Sequence, residues 1–187
     1  MPRSSALSPL SVAALALLAE HPMHPYEMYQ SLTARSQDRL LKVRPGTLYH
    51  GVGRLAEQGL VNVVGTDREG NRPERTTYEI SANGRRALSE RLRELLAVPV
   101  DEYPTFALAV AEAHNLPGAD VVVLLNERLV VLLDQLEELE AGERTMTQKD
   151  IAKKYWIELS YQKTMLRAEI DWIRGLQEDI TTGSLGW

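Results

Sequence analysis

The spacing of apolar residues along the chain changes twice. Gaps of three and four run up to Gly59, strict alternation follows as far as Ile80, and helical spacing then resumes. Ser8 and Pro9 are the cap and first position of a helix over residues 9–20, so apolar that burial on most sides is expected. Pro22-Met-His-Pro25 breaks it and opens a second helix over 26–36, with His24 as its cap and Met28, Leu32 and Tyr29 turned inward. After a polar connection, Pro45 starts a third helix that Gly59 closes. Within it Leu48, Val52 and Leu55 form one apolar stripe at i, i+4 and i+7. The opposite side carries Gly46, His50, Gly53 and Arg54, with Thr47 and Tyr49 on its flanks and Arg44 just ahead of Pro45. An interior glycine costs roughly 1 kcal/mol against alanine, so helix propensity did not select these. Close approach to a flat, crowded partner such as a DNA groove is one reason to keep them. A short helix without such a role is the other reading.

Beyond Gly59, residues 60–65 and 76–80 are rich in strand formers, and the polar tip between them holds the turn signal Gly70-Asn71. A hairpin directly behind an amphipathic third helix predicts a winged helix-turn-helix, three helices plus a two-stranded wing. Arg68, Arg72 and Arg75, with Asn71 beside them, are then placed to reach phosphates or the minor groove. The alternative is a solvated tip whose Arg and Glu residues pair among themselves.

Ser81 caps a fourth helix that runs to Val98, with Leu88, Leu92, Leu95 and Leu96 along one side. Pro99, Pro104 and Pro117-Gly118 mark the passage into a second helical part, so the expected domains are 1–98 and 99–187, with a short helix over 106–114. From Asp120 onward Val122, Leu125, Leu129, Leu132, Leu136 and Leu139 alternate by three and four as a heptad seam does. Ala141-Gly142 reads as the end of this helix. A last one over 147–180 carries Tyr155, Leu159, Leu166, Ile170 and Ile173. Two long helices can fold into an antiparallel hairpin, whose remaining apolar edge would seek another copy. The six seam residues with Leu159, Leu166, Ile170 and Ile173 are therefore the candidate dimer contacts, a self-contained bundle being the alternative. The whole is mainly α: a winged helix-turn-helix followed by a C-terminal helical dimerisation domain with two long helices.

Charge sharpens this division. The net charge of −5 over 187 residues argues against a nucleic-acid binder until the chain is split. Residues 1–93 hold 13 Lys and Arg against 9 Asp and Glu, a net of +4, whereas residues 94–187 carry −9. A basic half joined to an acidic half suits a protein that presents only its first half to phosphates. The absence of cysteine excludes disulfides, thiolate zinc sites and cysteine nucleophiles. Arg3 ahead of the apolar run 12–19 has the outline of a secretory signal, but Glu20-His21-Pro22 ends the run without a small-residue cleavage site. No stretch reaches the ~20 apolar residues of a membrane span, and a cytoplasmic protein without membrane contact is expected.

No catalytic constellation stands out in the sequence. Gly51-Val-Gly53 lies inside a helix rather than between strand and helix, so it is no phosphate loop. His21 and His24 straddle Pro22 and lack a third ligand, so no metal site is expected and no cofactor is implied. Nothing assembles a Ser–His–acid triad. An enzyme is not expected. Trp156 and Trp172 are more often core residues than ligand platforms; the second reading has them line an effector pocket at an aromatic dimer interface.

Several segments together resemble the PadR family of winged helix-turn-helix transcriptional regulators. They are Leu15-Ala-Leu-Leu-Ala-Glu-His-Pro-Met-His-Pro-Tyr-Glu27, Pro45-Gly-Thr-Leu-Tyr49, Arg54-Leu-Ala-Glu-Gln-Gly-Leu-Val61, Arg72-Pro73 ahead of Thr77-Tyr78, and Asn83-Gly84-Arg85. The resemblance covers residues 7–92, and the second half is similar to the longer branch of that family in layout. It implies a repressor that binds inverted repeats of double-stranded DNA as a homodimer and is released by a small-molecule or other signal. By position it makes 45–54 the recognition helix and 68–75 the wing, and it brings Tyr26 to the DNA. Pro25 stands where the family usually has Gly, and Gly51 and Gly53 replace bulkier residues. Half-sites one helical turn apart, ~34 Å, or a multiple of it, are expected. A winged-helix interaction module or scaffold that does not bind DNA, and a ligand carrier using the C-terminal aromatics, are the alternatives.

Overall fold

The computed structural model describes the backbone of residues 7–67 and 75–187. The chain divides into two compact units, Met1–Asp101 and Glu102–Trp187.

In the first unit, α1 (Pro9–Glu20) starts where Ser8 accepts the Ser11 N–H at 3.2 Å, and it buries Ala14, Leu15, Leu17 and Leu18. Helix α2 (Pro25–Ala34) is capped by His24, whose Nδ1 accepts the Tyr26 N–H at 3.1 Å while Glu27 Oε2 accepts the His24 N–H at 2.9 Å. This reciprocal arrangement satisfies two amides that helix geometry leaves open. Met28 and Leu32 are fully buried and Tyr29 half-buried, the expected inward side. Arg35, just past the end of α2, donates to both oxygens of Glu20 at the end of α1, at 2.5 and 2.7 Å. Ser36, in the left-handed region at φ 54°, and a 3₁₀ turn, Gln37–Arg39, lead to α3 (Pro45–Glu57), which packs against both α1 and α2.

Gly59, at φ +68°, turns the chain out of α3. Strand β1 (Val61–Asp67) then pairs antiparallel with β2 (Arg75–Ile80), Val61 facing Ile80 and Val63 facing Tyr78. A register shift between Val63 and Gly65 marks a bulge that the alternating pattern did not reveal. Met23 adds a bridge on the outer side of β2, exchanging two backbone hydrogen bonds of 3.0 Å with Tyr78. Helix α4 (Ala82–Ala97) begins at the hairpin's root. Ser81 donates its N–H to Leu60 O at 3.0 Å and its hydroxyl to Gly59 O at 2.8 Å, and that hydroxyl also accepts the Gly84 N–H at 3.0 Å. A Cβ on Gly84 would lie 2.1 Å from Leu60 O, so only glycine fits this join. One core unites Leu15, Leu18, Met28, Leu32, Leu48, Val52, Leu55, Val61, Ile80 and Leu88. This unit is a winged helix-turn-helix.

In the second unit, α5 (Thr105–Ala111) and a 3₁₀ turn, Ala113–Asn115, precede α6 (Gly118–Gln148). A further 3₁₀ turn, Lys153–Tyr155, precedes α7 (Ile157–Thr182). The long helices are antiparallel. Arg128 bonds Glu169, Arg167 bonds Glu140 at 2.6 Å, Lys163 pairs with Glu143, and Gln177 donates to Val122 O at 3.1 Å. Helix α6 continues past the expected stop at Ala141-Gly142. One glycine costs roughly 1 kcal/mol, and packing of Leu139 with the pairs at Glu140 and Glu143 outweighs it. The next helix accordingly begins at Ile157 rather than near 147; Asp150 at φ 52° turns the chain, and buried Trp156 pegs the connection by donating Nε1–H to Ile151 O at 2.8 Å. At the other end Trp187 donates to Leu116 O at 2.9 Å and lies over Gly118, where a Cβ would stand 2.9 Å from its ring.

The seam read as dimer contacts is consumed inside the chain. Val121, Leu125, Leu129 and Leu132 of α6 are buried against Ile170 and Ile173 of α7, with Leu136 and Leu166 packed alongside. Leu139 is also buried, and Val122 and Leu159 are half-buried. An antiparallel hairpin satisfies a heptad seam within one copy, so periodicity alone could not say which partner it met. The opposite side of α6 stays apolar and exposed at Val123, Leu124, Val130 and Val131.

Candidate nucleic-acid interface

Helix α3 divides as its sequence demands. Leu48, Val52 and Leu55 are buried and hold the helix to the core, while Arg44, Gly46, Thr47, Tyr49, His50 and Arg54 are exposed. Gly51 is buried beside Leu10 of α1, whose Cδ2 would stand 3.8 Å from an added Cβ, so it belongs to the packed side. Gly46 and Gly53 differ: an added Cβ on either would meet nothing within 4 Å. Among the described residues nothing crowds these two glycines.

Arg44 precedes the helix in an extended conformation and makes no side-chain cap, so the first amides of α3 have no side-chain partner there. Such amides and the positive end of the helix dipole are suited to an anion. The Thr47 hydroxyl donates to Arg44 O at 2.8 Å, which orients its methyl and spare lone pairs outward. A shallow, solvent-open depression of about 450 Å³ runs along the exposed side, lined by Leu10, Thr47, Tyr49, His50, Gly53, Arg54 and Glu57. Glu57 places one negative charge at its C-terminal edge, so phosphates are favoured toward the Arg44 end.

Tyr26 stands exposed on the first turn of α2. Tyr49 is exposed too, and the buried His24 ring meets it edge-on, centroids 5.6 Å apart at 75°. That contact joins residues 25 positions apart, and spacing along the sequence gave no sign of it. Arg75 opens β2, but its side chain, like Arg68, Asn71 and Arg72, lies outside the described residues.

The two tryptophans offered as a ligand platform at a dimer interface do not lie together within one copy. Trp156 is buried and Trp172 is exposed, and the 16 positions that separate them span about 24 Å of helix. Trp172 instead meets Phe106 edge-on at 6.3 Å, and Arg128 lies 3.6 Å above the Phe106 ring while donating Nε and Nη2 to Glu169 Oε1 at 2.8 and 2.6 Å. Among the described residues no group of three or more His, Asp or Glu could hold a metal ion, and no helix is long and apolar enough to cross a membrane.

The fold is similar to that of several solved proteins. Bacillus subtilis PadR in complex with operator DNA is similar with a TM-score of 0.78 at 16% identity, over 92% of this chain and 99% of that one. The same protein in complex with p-coumaric acid gives 0.77 at 15% identity, over 92% and 98%. The Vibrio cholerae virulence activator AphA gives 0.70 at 19% identity, again over 92% and 98%. These identities speak for the fold. No curated protein matches the sequence. The family model of the PadR-like transcriptional regulators matches residues 14–90, from the core of α1 through the wing into α4. Over that segment the chain is similar to the PadR-like family of transcriptional regulators.

Proposed function

We propose that the chain is a sequence-specific repressor that binds an inverted-repeat operator as a homodimer and is released by a small-molecule effector. The observation that carries this reading is the two-sidedness of α3: its inner stripe is locked into the core while Arg44, Thr47, Tyr49, His50 and Arg54 face outward beside two glycines that no described residue crowds. A helix so mounted can enter a major groove, reading base edges from Thr47, Tyr49, His50 and Arg54. The wing arginines Arg68, Arg72 and Arg75, with Asn71, hold the flanking backbone, and Tyr26 adds a contact from the start of α2. Pairing of two copies falls to the outer side of α6 around Val130 and Val131, because the seam is occupied within each copy. Crystals of Bacillus subtilis PadR with operator DNA and with p-coumaric acid support the DNA and effector parts of the reading.

Selection from random duplexes tests it. An enriched two-fold repeat is expected, bound with a steep salt dependence that Arg54→Ala lessens by about 0.9 in slope if Arg54 meets one phosphate. Failure to enrich any sequence would leave an interaction module in its place.

A further inference from the structure

We propose that His24 is a positioning residue for DNA recognition, one buried ring that sets both tyrosines bordering the recognition face. The proposal rests on the DNA-binding reading of α3. Tyr26 and Tyr49 lie on different helices and are 47% and 44% exposed, so burial fixes neither of them. His24, between them, is 9% exposed. Its backbone is held on both sides. Glu27 Oε2 accepts its N–H, its carbonyl accepts the Met28 N–H at 3.1 Å, and the preceding Met23 is bonded twice to Tyr78. The ring is held as well: Nδ1 accepts the Tyr26 N–H, and the same imidazole meets the Tyr49 ring in a T-shaped contact. The rigid first turn of α2 thus reaches α3 through one side chain.

The cap alone does not explain a histidine. Ser, Thr, Asp or Asn supplies an acceptor at a helix start as well or better. None of these offers an aromatic ring, and a T-shaped ring contact is what Tyr49 makes here. A half-exposed tyrosine with no lateral support would lose rotamer freedom on meeting a groove, and a neighbour that removes that freedom beforehand raises affinity. Pro25 contributes to the same end by fixing the backbone between the cap and Tyr26.

The variant that separates cap from ring is His24→Asn, which keeps a side-chain acceptor and lacks the aromatic ring. The probe is a duplex enriched by the wild-type protein from random oligonucleotides. The expected result is binding weaker by about three- to tenfold with the thermal midpoint unchanged. In a Tyr49→Ala background the same substitution should add no further loss. Equal affinity of His24→Asn and wild type, or losses that multiply in the double variant, would overturn the proposal while leaving DNA binding intact. A wild-type protein that enriches no duplex would overturn the DNA reading and this proposal with it. A second measurement is independent of the variant's stability. Proton NMR of the DNA-free wild type should show cross-peaks between the His24 and Tyr49 rings, and their absence would overturn the positioning role.

Discussion

Replacing Gly53 by alanine should make the protein more stable and worse at binding DNA. The stability half follows from what surrounds the site. Gly53 lies inside α3, and an added Cβ meets no atom within 4 Å, so the substitution brings no clash. What remains is the helix preference of alanine over glycine, about 1 kcal/mol, together with the reduced freedom of the unfolded chain. For a unit of this size that corresponds to a rise in melting temperature of roughly 4–8 °C. The binding half follows from the partner. Gly53 lines the open depression between His50 and Arg54, and a methyl there would stand where the duplex is to approach. Overpacking of a close interface by one methyl costs about 1–3 kcal/mol, on the order of five- to a hundredfold in affinity. Calorimetric melting and fluorescence-anisotropy titration of one labelled duplex read the two quantities on the same preparation. A variant that is more stable and binds as tightly as wild type would refute the close-approach argument. A less stable one would refute the reading of open space.

Gly84→Ala should do the opposite for stability, because its Cβ would fall against Leu60 O and disrupt the Ser81 cap; a loss of about 2 kcal/mol is expected in urea denaturation, and an unchanged midpoint would contradict the close join. Val131→Lys, on the exposed side of α6, should give folded monomers in sedimentation equilibrium with helicity retained, and a persistent dimer would move the contact elsewhere. Leu132→Lys, at 6% exposure, should instead unfold the second unit. The hydrogen bond from Arg35, reinforced by its charge, holds the Glu20 carboxyl below the ordinary carboxylate range. Its stabilisation is therefore complete above that range and fades as pH falls through the lowered value. Both side chains are nearly half exposed, so wild type should exceed Glu20→Gln by no more than about 1 kcal/mol at neutral pH, and the two should converge in acid. A gap that stays constant with pH would point to packing.

Punctuation made much of the first unit legible. Ser8-Pro9 and the Glu20-His21-Pro22 break predicted residues 9–20, and α1 occupies Pro9–Glu20. The stripe Leu48, Val52 and Leu55 predicted the buried side of α3, and hence which residues would be exposed. Legibility failed where tertiary contacts overrule local preference. Gly142 looked like a stop, yet the neighbouring helix holds α6 together across it. The seam from Leu125 to Leu132 specified a helical partner without specifying whose, because the same spacing serves a hairpin and a coiled coil. The bulge after Val63, the ring contact of His24 with Tyr49 and the stacking of Arg128 on Phe106 join or distort elements in ways no local period encodes.

Among the described residues, the last member of the first unit's core is Leu88. The segments of α6 and α7 follow in synthesis, and at 5–20 residues per second the stretch from Leu88 to Thr182 takes roughly 5–20 s. Mostly helical units of this kind fold in milliseconds or less. A unit that folds this fast can be finished before α7 is complete, so that any pairing of copies through the second unit joins first units already folded.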